Sequence, residues 1–212
     1  MSVGEKVLFF FSFLGAFNAF ILGIYFIFFT TKKHLSSYLL GALLVVLSIR
    51  IGKSVIYFFD SSLPRIYLQL GLTACLFIGP FLYFFIKSEA KKIKRLPSLW
   101  IWQLVGWLLL IVVIGTIYPY EYFASLWWYY IIPLIYLQWG IYIVFSVFIL
   151  SPIVKRLFHK QELRAFEKWI LTIFGGVLLL FVSYVWAILN ITKGSYIGAA
   201  VFFSSILYLV IF

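Results

Sequence analysis

The chain has 212 residues and a net charge of +11, and 65% of its residues are hydrophobic while only 11% are charged. Soluble domains average about 45–50% apolar and about 25% charged residues, so a water-soluble core could not bury this apolar surplus. Because the basic residues cluster in short segments between apolar runs, the composition excludes a soluble domain and favours the loops of a membrane protein over a nucleic-acid-binding surface.

Seven apolar runs follow one another along the chain, each close to the roughly 20 residues with which a helix crosses a bilayer. In order, they are Val7–Phe29, Ser36–Phe59, Ile66–Ile86, Leu99–Tyr118, Leu126–Leu150, Trp169–Ile191 and Ser195–Phe212. The last run is the shortest and stops with the sequence, so we expect the 212 residues to be a fragment of a longer chain, truncated within or just after that span. The pattern predicts an all-α, polytopic membrane protein in which residues 1–212 form one seven-helix domain.

The distribution of Lys and Arg residues predicts the orientation of these spans. Twelve of the 17 lie in the loops after the first, third and fifth runs, whereas only Lys6, Arg65 and Lys193 lie in the alternate segments. Since Lys and Arg accumulate on the cytoplasmic side of a membrane, we predict an external N-terminus, a cytoplasmic C-terminus and a location in the inner (plasma) membrane of the cell. We expect the basic loops to meet anionic lipid headgroups, although their role in setting topology explains them equally well.

Small residues and a proline inside the runs indicate how the helices pack. Gly15, Ala19 and Gly23 recur every four residues in the first run and place small side chains on one face, where a neighbouring helix can approach closely. In the third run, Gly79 precedes Pro80, and a proline inside a helix removes a backbone donor and kinks the helix. We predict a hinge at Gly79 and Pro80, with a static packing kink as the simpler alternative.

Two cations lie inside the second run. Arg50 and Lys53 are three residues apart and share a predicted helix face with Ser54 and Tyr57. A charge at the bilayer centre costs about 2.5–3.5 kcal/mol even on insertion scales, so both cations must pair, snorkel or face a wet cavity. We predict a chamber that binds an anionic group, formed by Arg50, Lys53, Tyr57, Gln69 and Thr73 and bordered by Asn18, Gln138 and Ser183.

A simpler explanation of the two cations remains open. They can pair with Glu5, Asp60 or Glu121 at the outer surface, or snorkel to lipid phosphates. No acidic residue occurs inside any of the seven runs. This absence argues against a proton- or sodium-coupled transporter, because such relays normally use carboxylates.

The sequence offers no constellation for catalysis or for a cofactor. His34 and His159 are far apart, and Cys75 is the only cysteine. There is no His-Glu-x-x-His helix, no Gly-x-Ser-x-Gly turn and no phosphate-binding glycine loop. We therefore expect no enzymatic activity, no cofactor and no metal site.

Four segments resemble those of a known family: FLGAFNAFILGIYFIF (Phe13–Phe28), KKHLSSYLLGALLVVLSIRIGKS (Lys32–Ser54), FIGPFLYFFIKS (Phe77–Ser88) and KQELRAFEKWILTIFGG (Lys160–Gly176). Together they resemble the N-terminal seven-helix membrane region of bacterial membrane-bound AraC-type helix-turn-helix transcription regulators. The resemblance implies a membrane sensor that serves a cytoplasmic DNA-binding domain. The 212 residues themselves contain no helix-turn-helix motif, so we expect no direct nucleic-acid contact from them.

Two functions from different classes follow. The first is a membrane-embedded sensor or anchor, in which an external or lipid-borne signal shifts helix packing around Pro80 and reaches the cytoplasmic side through the seventh helix. The alternative is a small transporter or channel that carries an anionic solute past Arg50 and Lys53. A homo-oligomer is compatible with either function, and the sequence specifies neither the ligand nor the oligomeric state.

Overall fold

The computed structural model describes residues 3–30, 34–60, 64–159, 161–190, 201 and 204. All regular elements among these residues are helical. They are α1 (Val3–Ile24), α2 (Leu35–Phe59), α3 (Arg65–Lys91), α4 (Ser98–Ile117), α5 (Ala124–Leu126), α6 (Ile132–Phe158) and α7 (Ala165–Asn190). A π-helical turn extends α1 over Tyr25–Phe29, and a second one joins α5 to α6 over Trp127–Ile131.

Six helical stretches in the described part of the chain are long and apolar enough to cross a membrane. They coincide with the first six apolar runs, so the helices predicted there are confirmed. The shortest, α4, has 20 residues, or about 30 Å at 1.5 Å per residue, which equals the thickness of a hydrocarbon core. The seventh predicted run, Ser195–Phe212, lies outside the described residues except for Val201 and Ser204, which are helical.

Two helices continue beyond the predicted runs. The third continues past Ile86 to Lys91, and the fifth run continues past Leu150 as α6 to Phe158. Apolar runs stop at the first charged residues, but a helix can continue beyond the hydrocarbon, and basic side chains in its last turn interact favourably with the helix dipole. Lys155 therefore belongs to the last turn of α6 rather than to a loop.

The centre of the bundle is formed by α2, α3 and α6. The α2 helix packs against α1 and α3, and α3 packs against α6 as well. Large apolar side chains such as Phe84 and Trp139 are fully buried there. The α4 helix is peripheral, since only Trp100, Ile111 and Gly115 of its residues are buried. Its other apolar side chains are exposed or only partly buried.

Glycine permits the closest contact between α1 and α2. A Cβ atom on Gly23 would lie 2.9 Å from the carbonyl oxygen of Gly41, and one on Gly41 would lie 2.7 Å from the carbonyl oxygen of Gly23. Ala19, one turn before Gly23, is fully buried. The predicted small-residue face of α1 is thereby confirmed as a packing face, which matters because lipid supplies no hydrophobic force to hold helices together.

Candidate functional site

The most unusual polar side chain in the described helices is that of Arg50. It lies in the interior of α2, well before the end of that helix at Phe59. Only 3% of the residue is exposed. Ionised side chains are almost never fully buried without a partner, and within a membrane span they are costly. The contacts of Arg50 therefore decide what this part of the bundle can do.

Three neutral side chains surround the guanidinium. Its Nη1 donates to Ser54 Oγ at 3.1 Å, and its Nη2 donates to the Tyr136 hydroxyl at 2.9 Å. Its Cζ lies 4.3 Å from the centroid of the Tyr184 ring, and the Tyr184 hydroxyl is 3.3 Å from Ser54 Oγ. Arg50 of α2 thus contacts both α6 and α7, and we call Arg50, Ser54, Tyr136 and Tyr184 the arginine cluster.

The arginine cluster leaves the positive charge without an acidic counter-ion among the described residues. Both ion pairs found there, Lys92–Glu89 and Arg156–Glu167, lie elsewhere. A desolvated cation–π contact contributes about 2 kcal/mol and hydrogen bonds to a charged group about 1.5–3 kcal/mol, so neutral partners can offset the cost of burial. The Nε atom, however, has no hydrogen-bond partner within the described chain. The Nε–H group is therefore a buried, charged donor without an acceptor among the described residues.

Lys53 follows Arg50 by one turn and is only partly buried. Its aliphatic stem lies against Gly71 of α3, where a Cβ atom would come within 2.7 Å of Lys53 Cε. Its Nζ is 5.7 Å from the centroid of the Tyr57 ring, and Tyr57 is 40% exposed. The glycine on α3 thus provides room for the stem, while the ammonium extends toward the end of α2, as a snorkelling lysine does.

The remaining residues of the predicted chamber make other contacts. Gln69 Nε2 donates to the Gly115 carbonyl at 3.2 Å, and the Tyr120 backbone N–H donates to Gln69 Oε1 at 3.1 Å. Thr73 Oγ1 donates to the Gln69 carbonyl at 3.0 Å within α3. The two Gln69 side-chain bonds connect α3 with the end of α4 and the residues after it, and none of the three bonds involves a cation. The structure therefore places Arg50, Lys53 and Tyr57 together on α2 and places Gln69 and Thr73 at a separate helix contact.

The three bordering residues are also dispersed. Asn18 lies partly buried on α1, and the Gln138 amide lines a groove between α4 and α6. Ser183 Oγ donates to the Leu179 carbonyl at 2.8 Å on an exposed face of α7. In place of these residues, Tyr136 and Tyr184 complete the surroundings of Arg50. Sequence reasoning missed both tyrosines, and their only signal was that each hydroxyl lies well inside an apolar run.

The proposed pairing of the cations with surface carboxylates has no support in the described residues. Neither Arg50 nor Lys53 forms an ion pair with Asp60 or Glu121 there, and the Glu5 side chain lies outside the described residues.

The predicted hinge residues, Gly79 and Pro80, lie where α3 meets α6. Both are buried, and a Cβ atom on Gly79 would come within 3.1 Å of Trp139 Cα.

The site has no metal-binding character in the residues described: no group of three or more His, Cys, Asp or Glu side chains is placed to hold an ion. Cys75 of α3 is fully buried and lies beside Arg50 and Tyr136. The chemistry available is thus the binding of a negatively charged or hydrogen-bond-accepting group by a cation. No protein-family model, curated protein or solved structure matches this chain.

Proposed function

We propose that this chain is the sensor or anchor region of a transcription-regulator-like protein of the bacterial inner membrane, and that it passes an external or lipid-borne signal to the cytoplasm. In this proposal seven helices cross the membrane, the N-terminus is external and the C-terminus is cytoplasmic. Six apolar helices of sufficient length and the alternation of basic loops support this arrangement. The resemblance to the membrane region of AraC-type regulators supplies the regulatory role.

The observation that carries the proposal is the buried guanidinium shared by three helices. Arg50 bonds within α2, donates to Tyr136 of α6 and lies over the ring of Tyr184 of α7. An anionic headgroup or solute that reaches Arg50 would compete with these neutral partners, since a charged acceptor forms a stronger hydrogen bond. Arrangements of α6 and α7 that admit the anion would then be favoured over those that exclude it.

A second contact between α6 and α7 provides a route to the proposed cytoplasmic side. Arg156 in the last turn of α6 forms an ion pair with Glu167 in the first turn of α7. The same carboxylate accepts a hydrogen bond from the Arg164 backbone N–H at 3.0 Å, as an acidic residue in the first turn of a helix commonly does. A displacement of α6 relative to α7 at Arg50 would therefore move this loop.

Spin-label distances test the proposal. In a Cys75→Ala background, labels at Lys168→Cys on α7 and at Lys94→Cys after α3 report the position of α7 relative to the packed α3 and α6 helices, and both positions are exposed. We expect dodecyl phosphate, added to the protein in phosphatidylcholine nanodiscs, to shift the distance distribution by pulsed electron paramagnetic resonance. Arg50→Gln should abolish the shift, because the cation that binds the phosphate is gone.

The matched control is Arg65→Gln, which removes an exposed arginine at the start of α3 that donates to the Glu121 carbonyl. This variant should respond to dodecyl phosphate as the unmodified chain does. An unchanged distance distribution in the parent protein, or an equal response in Arg50→Gln, would contradict the proposal.

The rival function, transport of an anion, has one observation in its favour. Lys53 is partly exposed and lies one turn from the buried Arg50, so the two cations form a short path into the bundle. Phosphate or chloride flux into proteoliposomes that is lost in Lys53→Gln would favour transport over sensing. We propose the sensor first because the arginine cluster connects helices through neutral, closely packed side chains.

A further inference from the structure

A groove of about 510 Å³ lies between α4 and α6, apart from the arginine cluster. Its volume is within the roughly 300–1,000 Å³ of small-molecule sites. Leucine and isoleucine side chains form most of the wall, mainly from α4 and α6, and Leu76 of α3 is one of them. No charged residue lines it in the described chain. The groove therefore suits an uncharged, largely apolar molecule.

One polar side chain in the wall has unsatisfied hydrogen-bonding groups. Gln138 is 8% exposed, and neither its Nε2 nor its Oε1 has a hydrogen-bond partner among the described residues. An amide without partners is costly in an apolar environment, and hydrocarbon supplies no water to replace them. A molecule in the groove that donates to Oε1 and accepts from Nε2 would satisfy both groups of this amide.

A second polar group lies one turn further along the same face of α6. The Tyr142 hydroxyl accepts hydrogen bonds from Gln103 Nε2 and, at 3.4 Å, from Trp107 Nε1, both on α4. Both contacts use the hydroxyl oxygen of Tyr142. Among the described residues no acceptor uses the hydroxyl hydrogen, which can therefore be donated to a bound molecule. Gln138 and Tyr142, four residues apart, thus form a short polar strip on an apolar wall.

Part of the groove wall is exposed on the outside of the bundle. Leu134 and Leu137 contribute to its lining and are each 61% exposed. In a membrane these side chains would contact lipid, so a molecule dissolved in the bilayer could enter directly. Ser204, the last described residue, lies against Ser12 of α1 and therefore on a different face of the bundle from the groove.

We propose that this groove binds a lipid-borne molecule with one hydrocarbon chain and one carboxamide group. The chain would lie along the apolar wall. The carboxamide would pair reciprocally with Gln138, donating to Oε1 and accepting from Nε2, and its oxygen has a second donor in Tyr142. An ester or ketone could accept but not donate, and it would leave Oε1 unpaired. The site depends on the membrane placement of α4 and α6 but not on the sensor role of the arginine cluster.

Photolabelling tests the proposal on the full chain in phosphatidylcholine nanodiscs. The probe is hexadecanamide with a diazirine on its chain, and mass spectrometry locates the label. We expect saturable labelling of α4 or α6 that hexadecanamide displaces, and that hexadecane and N,N-dimethylhexadecanamide, which has no N–H donor, displace poorly. In Gln138→Leu, hexadecanamide should compete about tenfold more weakly, which corresponds to about 1.4 kcal/mol.

Matched variants separate loss of the site from loss of the fold. Leu110→Trp places an indole in the groove and should abolish labelling, whereas Leu109→Trp, on the neighbouring residue that is 59% exposed and outside the lining, should not. Gln138→Met provides a second amide-free variant if Gln138→Leu is poorly folded. Equal displacement by hexadecane, or unchanged competition in a folded amide-free variant, would overturn the proposal.

Discussion

At the scale of single residues, Arg50 shows how a cation is tolerated when no carboxylate among the described residues pairs with it. Its partners are a serine hydroxyl, a phenol and an aromatic face, which together stabilise a charge that hydrocarbon alone would not. A buried ion whose partner is removed is more costly than no ion at all. The contribution of each partner to the free energy of unfolding should therefore depend on whether the Arg50 charge is still present.

That dependence predicts the stability of Tyr136 variants. Tyr136→Phe removes the hydroxyl that accepts from Arg50 Nη2 and should lower the free energy of unfolding by about 1–3 kcal/mol, because a charged donor is left unsatisfied. The double variant Arg50→Met/Tyr136→Phe should lose less than Tyr136→Phe alone, since no charge remains to be satisfied. Thermal unfolding in detergent measures both.

The control for this prediction is Tyr130→Phe, which removes a hydroxyl from a residue that is 64% exposed. It should leave the unfolding temperature unchanged. Additive losses in the double variant would mean that the Tyr136 hydroxyl acts independently of Arg50.

At the scale of helices, α2 carries two glycines with opposite surroundings. A Cβ atom on Gly41 would collide with the backbone of α1, whereas one on Gly52 would meet no atom of the described residues within 4 Å. The backbone of α1 cannot yield as a flexible side chain can. Equal substitutions at the two positions therefore separate the effect of helix packing from that of helix propensity.

We expect Gly41→Ala to lower the free energy of unfolding by about 1–3 kcal/mol, the usual cost of overpacking a close contact. Gly52→Ala should be neutral or should raise it by up to about 1 kcal/mol, because alanine is the better helix former. Unfolding of the two variants in the same detergent provides the comparison. Similar effects at both positions would argue against the close approach of α1 and α2.

At the scale of the whole molecule, the membrane arrangement is set by charge and by helix length. The loop after α3 contains Lys92, Lys94 and Arg95, whereas the segment between α4 and α5 contains Glu121 and no Lys or Arg residue. Consecutive loops that differ so strongly in charge should lie on opposite sides of the bilayer.

Reporter fusions check this arrangement. Alkaline phosphatase joined after Tyr122 should be active, because that segment is external in the proposed topology, and a fusion after Lys94 should be inactive. Green fluorescent protein at the same positions should give the reverse pattern. Active phosphatase at both positions would be incompatible with a membrane-spanning α4.

The helices and the small-residue face of α1 were predictable from the sequence, whereas the polar contacts between helices were not. Runs of apolar residues predict spans because the requirement to cross hydrocarbon acts on each segment alone. The bond from Arg50 to Tyr136 joins residues 86 positions apart, and it depends on the rotation of two helices against each other. Likewise, nothing local distinguishes Gln138, with no partner in the described chain, from Gln69, which bonds to Gly115.

The π-helical turn between α5 and α6 has an evolutionary consequence. Such a turn accommodates one residue more than an α-helical turn does. It places Trp127 and Ile131 inward, while Tyr129 and Tyr130 remain exposed. The Trp127 indole donates to the Tyr118 carbonyl at 2.7 Å. A homologue that had lost one residue here would need to rotate everything upstream of the deletion by about 100°, given 3.6 residues per turn. Length variation between orthologues should therefore avoid this turn, or coincide with replacement of both Trp127 and its acceptor loop.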